Sequence, residues 1–277
     1  MSIAKSLPPR SALFLPASNP RAIEKARTLD ADLVILDLED AVKPEDKGAA
    51  RRAAVDAVAA GFGERLVAIR VNALHSRECE ADLRALVGVR PDFVVVPKVE
   101  DGHGLSAFAR PVLAMIETPR GVAAASAIAA TPGVMGLIAG VNDLKAELGL
   151  PAGAGRAGLT LALQTIVLAA RVARGWAIDG VFNALDDAQG LAAECAEGRA
   201  WGFDGKSLIH PGQIAAANAG FAPGAAEVEE ARALIAAATG GAERFRGRMV
   251  EAMHVEQAKA VLARAGGESA PSADPPA

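Results

Sequence analysis

The chain has 277 residues, 51% of them apolar and 22% charged, with a formal net charge of −4 and a mean hydropathy of +0.24. This excludes disorder for most of its length and supplies a core for one large α/β barrel with an appendage, or for two ordinary domains. The mild negative charge gives no field for nucleic acid or an anionic membrane surface, so an anionic substrate requires local basic residues. The two cysteines, Cys79 and Cys195, are too few for a disulfide framework and have helical flanks. No unbroken apolar run reads as a membrane span, and MSIAKSLPPR lacks the apolar region of a signal peptide. The expectation is a soluble cytoplasmic protein without nucleic-acid or membrane partners.

Along the chain, short apolar runs alternate with longer helical stretches. The runs are SALFLP, LVILDLED, RLVAIRVN, DFVVVPK, VLAMIET, GLIAGVND, AIDGVFN and DGKSLIH. Helical periodicity occupies 20–30, 45–60, 77–87, 121–130, 156–174 and 186–201 between them. Strict alternation points to parallel βα units, and strands apolar on both faces fit a sheet covered on both sides. The expected fold class is α/β, a (β/α)8 TIM barrel over residues 1–222 with a C-terminal helical lid over 223–266. One crossover is thin: VEDGHGLSAFARP leaves little room for a helix, which keeps an open doubly wound sheet as an alternative. Pro223 opens the lid helix and Gly240–Gly241 break it. The tail 267–277, rich in Pro, Ser and Ala, is expected to be disordered.

Such barrels carry their sites at the C-terminal rim of the strands, and the rim positions here are polar. They are Asp37, Glu39, Asp40, Arg70, Asn72, Lys98, Glu117, Asp143, Asn183 and His210. Glu117 in MIET and Asp143 in AGVND each end an apolar run. Two carboxylates brought to one rim repel unless a cation lies between them, and an all-oxygen pair suits Mg²⁺ better than zinc. The competing reading is that each acid caps the helix that follows. Arg70 can grip a carboxylate or carbonyl oxygen in bidentate fashion, or form a structural ion pair with Glu39 or Asp40. Lys98 is a charge-balancing group or a Schiff-base amine. His210 is a catalytic or a structural histidine. No Walker loop, Rossmann glycine signature or nucleophile elbow is present.

Seven stretches, RSALFLPASNPRAIEKA, DLVILDLEDAV, IRVN, VVPKVE, MIETPRGV, AGVNDL and GFDGKSLIHPGQI, stand in an order that resembles the citrate lyase beta-subunit family of CoA-ester lyases. The resemblance extends to the lid segment FRGRMVEAMHVEQA and implies a TIM barrel, commonly trimeric, whose Mg²⁺ is held by Glu117 and Asp143. It implies that Arg70 contacts the acid moiety and that Phe14, Arg21 and Lys25 help hold a CoA thioester. Glu39 and Asn183 complete the expected substrate-binding set. The lid would be contributed to a neighbouring subunit of a homotrimer, with Glu251 as acid/base. Three departures stand out: Glu251 where relatives usually carry an aspartate, His75-Ser76 where they often carry Asp-Thr, and Ala17 in place of a glycine.

The chemistry this implies is reversible Claisen-type cleavage of a 3-hydroxy-acid CoA thioester, such as citramalyl-CoA or malyl-CoA, to acetyl-CoA and a small 2-oxo acid. The alternatives are hydrolysis or malate-synthase-like synthesis at the same site, and a non-catalytic or carrier-protein-dependent citrate lyase subunit.

Overall fold

The computed structural model describes residues 7–266; the segment 267–277, expected to be a disordered tail, lies outside the described residues. By its contacts the chain divides into two compact units that meet at Phe221 and Ala222.

The first unit is a closed parallel barrel. Its strands are β1 (Ser11–Pro16), β2 (Leu33–Asp37), β3 (Leu66–Arg70), β4 (Phe93–Val96), β5 (Val112–Ile116), β6 (Val134–Ala139), β7 (Trp176–Asp179) and β8 (Gly205–Leu208), in sequence order around the ring. Closure is explicit in the pairing of Ser11, Ala12 and Leu13 with Lys206, Ser207 and Leu208, which removes the open-sheet alternative. The apolar strands have two buried faces. Ile35, Phe93, Val95, Met115, Ile138 and Ile178 pack with one another as one cluster. Their chain neighbours Val34, Leu36, Val94, Val96 and Leu137 belong to a second cluster with the helices. Period-2 alternation inside an all-apolar strand is what a barrel between core and helices requires.

The helices are α1 (Pro20–Ala26), α2 (Lys47–Ala60), α3 (Arg77–Ala85), α4 (Pro119–Ala129), α5 (Val141–Glu147), α6 (Thr160–Val172), α7 (Ala188–Ala200) and α8 (Ile214–Phe221). Several starts are written locally. Asn19, Ser76, Thr118 and Asp187 each accept a backbone N–H with the side chain at the N-cap, and Pro20 and Pro119 follow two of them. The thin crossover between β4 and β5 holds only a 3₁₀ turn, Leu105–Ala107, entered through Gly104 at φ 80°. Helix α5 begins earlier than the helix that the capping alternative placed after Asp143: it starts right after Gly140 and puts Asp143 inside its first turn.

The second unit contains α9 (Ala225–Ala237) and α10 (Ala252–Arg264). Besides the expected helices it holds an antiparallel hairpin, β9 (Glu243–Phe245) and β10 (Arg248–Val250). Arg246 and Gly247, at φ 47° and 82°, form its two-residue turn. Two successive positive φ values match the twist of the flanking strands.

Candidate functional site at the barrel mouth

A cavity of about 370 Å³ opens where the strands end; Phe14, Asp37, Asp40, Arg70, Met115, Glu117 and Asp143 are among its walls. Six residues picked from the sequence, Phe14, Asp37, Asp40, Arg70, Glu117 and Asp143, are thus brought to one place.

Glu117 follows the last residue of β5 and is 1% exposed. It does not cap α4; Thr118 does, accepting the Gly121 N–H at 2.9 Å. The Glu117 carboxylate instead accepts the Lys98 backbone N–H at 2.7 Å. Lys98 holds a left-handed backbone, φ 52°, at that point. A non-glycine residue in that region costs of order 1 kcal/mol and persists only where the surroundings hold it there. Burial pushes the Glu117 acid up to about 7; the Lys98 N–H and Arg70 oppose the shift, and the charges of Glu39 and Asp143 add to it. Asp143 is half-buried in the first turn of α5, whose N-cap is Gly140.

Glycine at position 140 has a steric reason. A Cβ built there falls 2.3 Å from both Glu117 Cβ and Glu117 Oε2. The bare backbone of Gly140 lets the Glu117 side chain lie against the start of α5, beside Asp143. Two carboxylates on one cavity wall, the charge of one adding to the reluctance of the other to ionise, fit a hard divalent cation, which would remove the repulsion and restore the ionised form. Among the described residues no group of three or more His, Cys, Asp or Glu could hold a metal ion. Such a cation would therefore draw its remaining oxygens from substrate and water.

Arg70, the last residue of β3, makes a bidentate pair that the sequence did not indicate. Its partner is Asp37, with Nε to Oδ1 at 2.7 Å and Nη2 to Oδ2 at 2.6 Å. Asp37 closes the adjacent strand, in register with Arg70. The expected ion pair with Glu39 is also present, Nη1 to Oε2 at 3.0 Å, while the guanidinium lies over the Phe14 ring at 5.0 Å. Burial disfavours the charged guanidinium, but the bonds to Asp37 outweigh it and hold Arg70 as a firm cation.

Glu39 is buried behind this pair, and burial raises its pKa against the pull of Arg70 and Lys98. Lys98 Nζ donates to Glu39 Oε1 at 2.5 Å and lies 3.6 Å from Asp40. Burial works against the ammonium, yet the bond to Glu39 raises its pKa. A cation held in this way fits a charge-balancing group, whereas a Schiff-base amine would have to give up its proton against Glu39. Lys47, which the sequence reading passed over, fixes the same loop by donating to Leu38 O, Glu39 O and Asn72 Oδ1 at 2.7, 2.9 and 2.6 Å.

The remaining candidates lie outside the cavity wall. Arg21 and Lys25 are exposed, four residues apart on α1, and form no ion pair among the described residues. Asn183 exchanges amide hydrogen bonds with Asn142, which does line the cavity, at 2.7 and 3.3 Å. His210 is structural: its Nδ1 accepts the Gly212 N–H at 3.1 Å. Glu251 belongs to the second unit, where it precedes α10 and its N–H donates to His254 Nδ1 at 3.0 Å.

A barrel of parallel strands with two acids and a clamped arginine at its mouth defines a class of enzymes, and residues 10–211 match the model of one such family, the HpcH/HpaI aldolase/citrate lyase family. The chain belongs to this family. It is 42% identical to (3S)-malyl-CoA thioesterase of Cereibacter sphaeroides over 271 residues, 93% of this chain and 95% of the relative. CitE from Mycobacterium tuberculosis, solved with magnesium, acetoacetate and coenzyme A, superposes with a TM-score of 0.81 at 35% identity, covering 94% of this chain and 99% of that one. The citrate lyase beta subunit of M. tuberculosis complexed with oxaloacetate and magnesium gives a TM-score of 0.72 at 36% identity, covering 80% of this chain and all of that one. Among the described residues no helix is long and apolar enough to cross a membrane.

Proposed function

We propose that the protein is a Mg²⁺-dependent enzyme acting on a malyl-CoA-type thioester, with hydrolysis to free CoA and the hydroxy acid as the net outcome. One observation carries the reading. Glu117, Asp143 and Arg70 line one cavity, the set that an α-oxygenated carboxylate bound to a cation needs. The hydrolytic outcome is favoured by the (3S)-malyl-CoA thioesterases, 42% identical over nearly the whole chain.

Glu117 and Asp143 would hold the cation. When bound, it supplies Lewis acidity and a template for the substrate oxygens. Arg70 donates to the oxygen on which negative charge develops, from a position fixed before substrate arrives, so the donor need not reorganise. Phe14 presents its ring against the guanidinium and an apolar surface to the acyl chain. Lys98 and Lys47 hold the acidic loop and orient Glu39. Arg21 and Lys25 on α1 offer positive charge suited to the phosphates of CoA, and the Asn142–Asn183 pair borders the substrate. Glu251, from the C-terminal unit of a neighbouring subunit in a homotrimer, is assigned the proton transfer.

A second reading has a specific support. The same cation and arginine suit retro-Claisen cleavage to acetyl-CoA and a 2-oxo acid, and relatives of this fold bind oxaloacetate or acetoacetate with magnesium. Incubating malyl-CoA and citramalyl-CoA with the protein and Mg²⁺, read by mass spectrometry, separates the two. Free CoA with intact malate supports hydrolysis; acetyl-CoA with glyoxylate supports the lyase. Neither product from folded, Mg²⁺-loaded protein rejects both. Glu117→Ala is expected to abolish the Mg²⁺-dependent activity while leaving the circular-dichroism spectrum unchanged.

A further inference from the structure

The side-on edge of the Arg70 guanidinium is already taken. Nε and Nη2 both donate to Asp37, and the same carboxylate accepts the backbone N–H groups of Glu39 at 2.8 Å and Ala41 at 3.1 Å. An ionised carboxylate offers about four lone-pair sites, so Asp37 is saturated, and it is 1% exposed. The Phe14 ring restricts the guanidinium on its flat face. What remains are the second N–H of Nη2 and the two of Nη1; Nη1 lies 3.0 Å from Glu39 Oε2 and 3.9 Å from the cavity-lining Met115 sulfur.

We propose that Asp37 is a positioning residue. It turns Arg70 so that the end-on edge, formed by Nη1 and the second N–H of Nη2, faces the substrate oxygen, and it ties the loop bearing Glu39 and Asp40 to the same point. This rests on the functional reading above insofar as Arg70 is taken to touch the substrate. The physical basis is preorganisation. A free arginine has several rotatable bonds and would have to order itself as charge develops. A guanidinium fixed by two charge-assisted hydrogen bonds does not. The two-point hold cannot be reproduced by lysine, whose ammonium is a single point charge.

Three variants test the idea. Asp37→Asn faces an amide N–H₂ toward an arginine donor and breaks the hold; kcat is expected to fall at least about tenfold, about 1.4 kcal/mol of barrier. KM and Mg²⁺ affinity should change by less, because Glu117 and Asp143 are untouched. In Arg70→Ala, added guanidinium chloride at non-denaturing concentration is expected to restore activity, and in Arg70→Ala/Asp37→Asn it is not, because the seat for the guanidinium is gone. A purely structural Asp37 would not make rescue depend on its charge. Arg70→Lys tests the geometry without altering Asp37 and is also expected to lose at least about tenfold in kcat. Equal rescue in the single and double variants, or full activity in Arg70→Lys, overturns the proposal. Calorimetric binding of oxaloacetate with Mg²⁺ separates this proposal from the functional one. Weaker binding in Asp37→Asn, with no turnover of any thioester by the wild type, supports the positioning role and rejects the function. Unchanged kcat in Asp37→Asn, with an active wild type, rejects the positioning role alone.

Discussion

At the scale of single residues, the barrel mouth shows how much one atom decides. Gly140 has an ordinary negative φ of −97°, so alanine there carries no intrinsic backbone strain, but its Cβ would meet Glu117 at 2.3 Å. Gly140→Ala is therefore expected to displace the Glu117 carboxylate and lower Mg²⁺ affinity at least about tenfold, or 1.4 kcal/mol, read by calorimetry, with little loss of fold stability. Unchanged affinity would remove the cradle from the account. The two thiols give a pH prediction. Burial pushes both Cys79 and Cys195 from 9.0 up to about 11. The unfolded chain therefore loses its thiol protons before the folded one does. The contribution to stability is fully present below pH 9 and is lost as pH rises toward 11. Folded protein at pH 8 is expected to resist a thiol reagent until denaturant is added. Rapid labelling of native protein at that pH would contradict it.

At the scale of elements, the barrel wall contains a buried charge network away from the mouth. Lys206 on β8, fully buried, donates to Asp179 on β7 at 3.0 Å and to Glu194 on α7 at 2.7 Å. Arg156 reaches the same Asp179 with both terminal nitrogens, at 2.9 and 3.0 Å, and lies over Trp201 at 4.8 Å. These residues pin the 151–156 loop, β7, β8 and α7 together. Lys206→Met leaves Asp179 and Glu194 on Arg156 but removes two charged hydrogen bonds in a buried site, and is expected to lose roughly 1–3 kcal/mol in urea denaturation while the kcat of the remaining folded enzyme stays within about twofold. A neutral effect would mean that the network contributes nothing to stability. The strand order and most helices followed from the apolar pattern because that pattern records burial. The early start of helix α5 and the β9–β10 hairpin were not legible. Each is a short element that obtains its stability from packing or from a two-residue turn rather than from periodicity.

At the scale of the whole molecule, one outer surface of the barrel is unlike the rest. Leu161, Leu168 and Val172 on α6 are 81%, 66% and 76% exposed and lie on one face of the helix. The adjacent α4 exposes Ala123, Ser126, Ala127 and Ala130, and the two helices pack side by side. No charged residue falls between Gly121 and Asn142 or between Ala157 and Ala170. Identical copies can bring such faces together without like-charge repulsion, large side chains of α6 meeting the small residues of α4, which fits a homo-oligomer. Light scattering is expected to report an assembly larger than the monomer, and Leu168→Lys to shift it toward the monomer. An unaltered mass would place the subunit contact elsewhere.

The sequence by itself determined the alternation of strands and helices, the parallel barrel, the acids at residues 117 and 143, and the arginine at residue 70. These are properties of local pattern: apolar runs record which segments are buried, and a polar residue at the end of such a run has few other places to go. Only the tertiary structure decided who holds whom. Asp37 was one polar residue among many in LDLED until strand register set it beside Arg70. Lys47 drew no notice in the sequence, and only folding brought it to Leu38, Glu39 and Asn72. Lys98 lost its claim to be a nucleophile once Glu39 was found against it. Pairing of this kind depends on register and burial across distant segments, and neither is written in the order of residues along the chain.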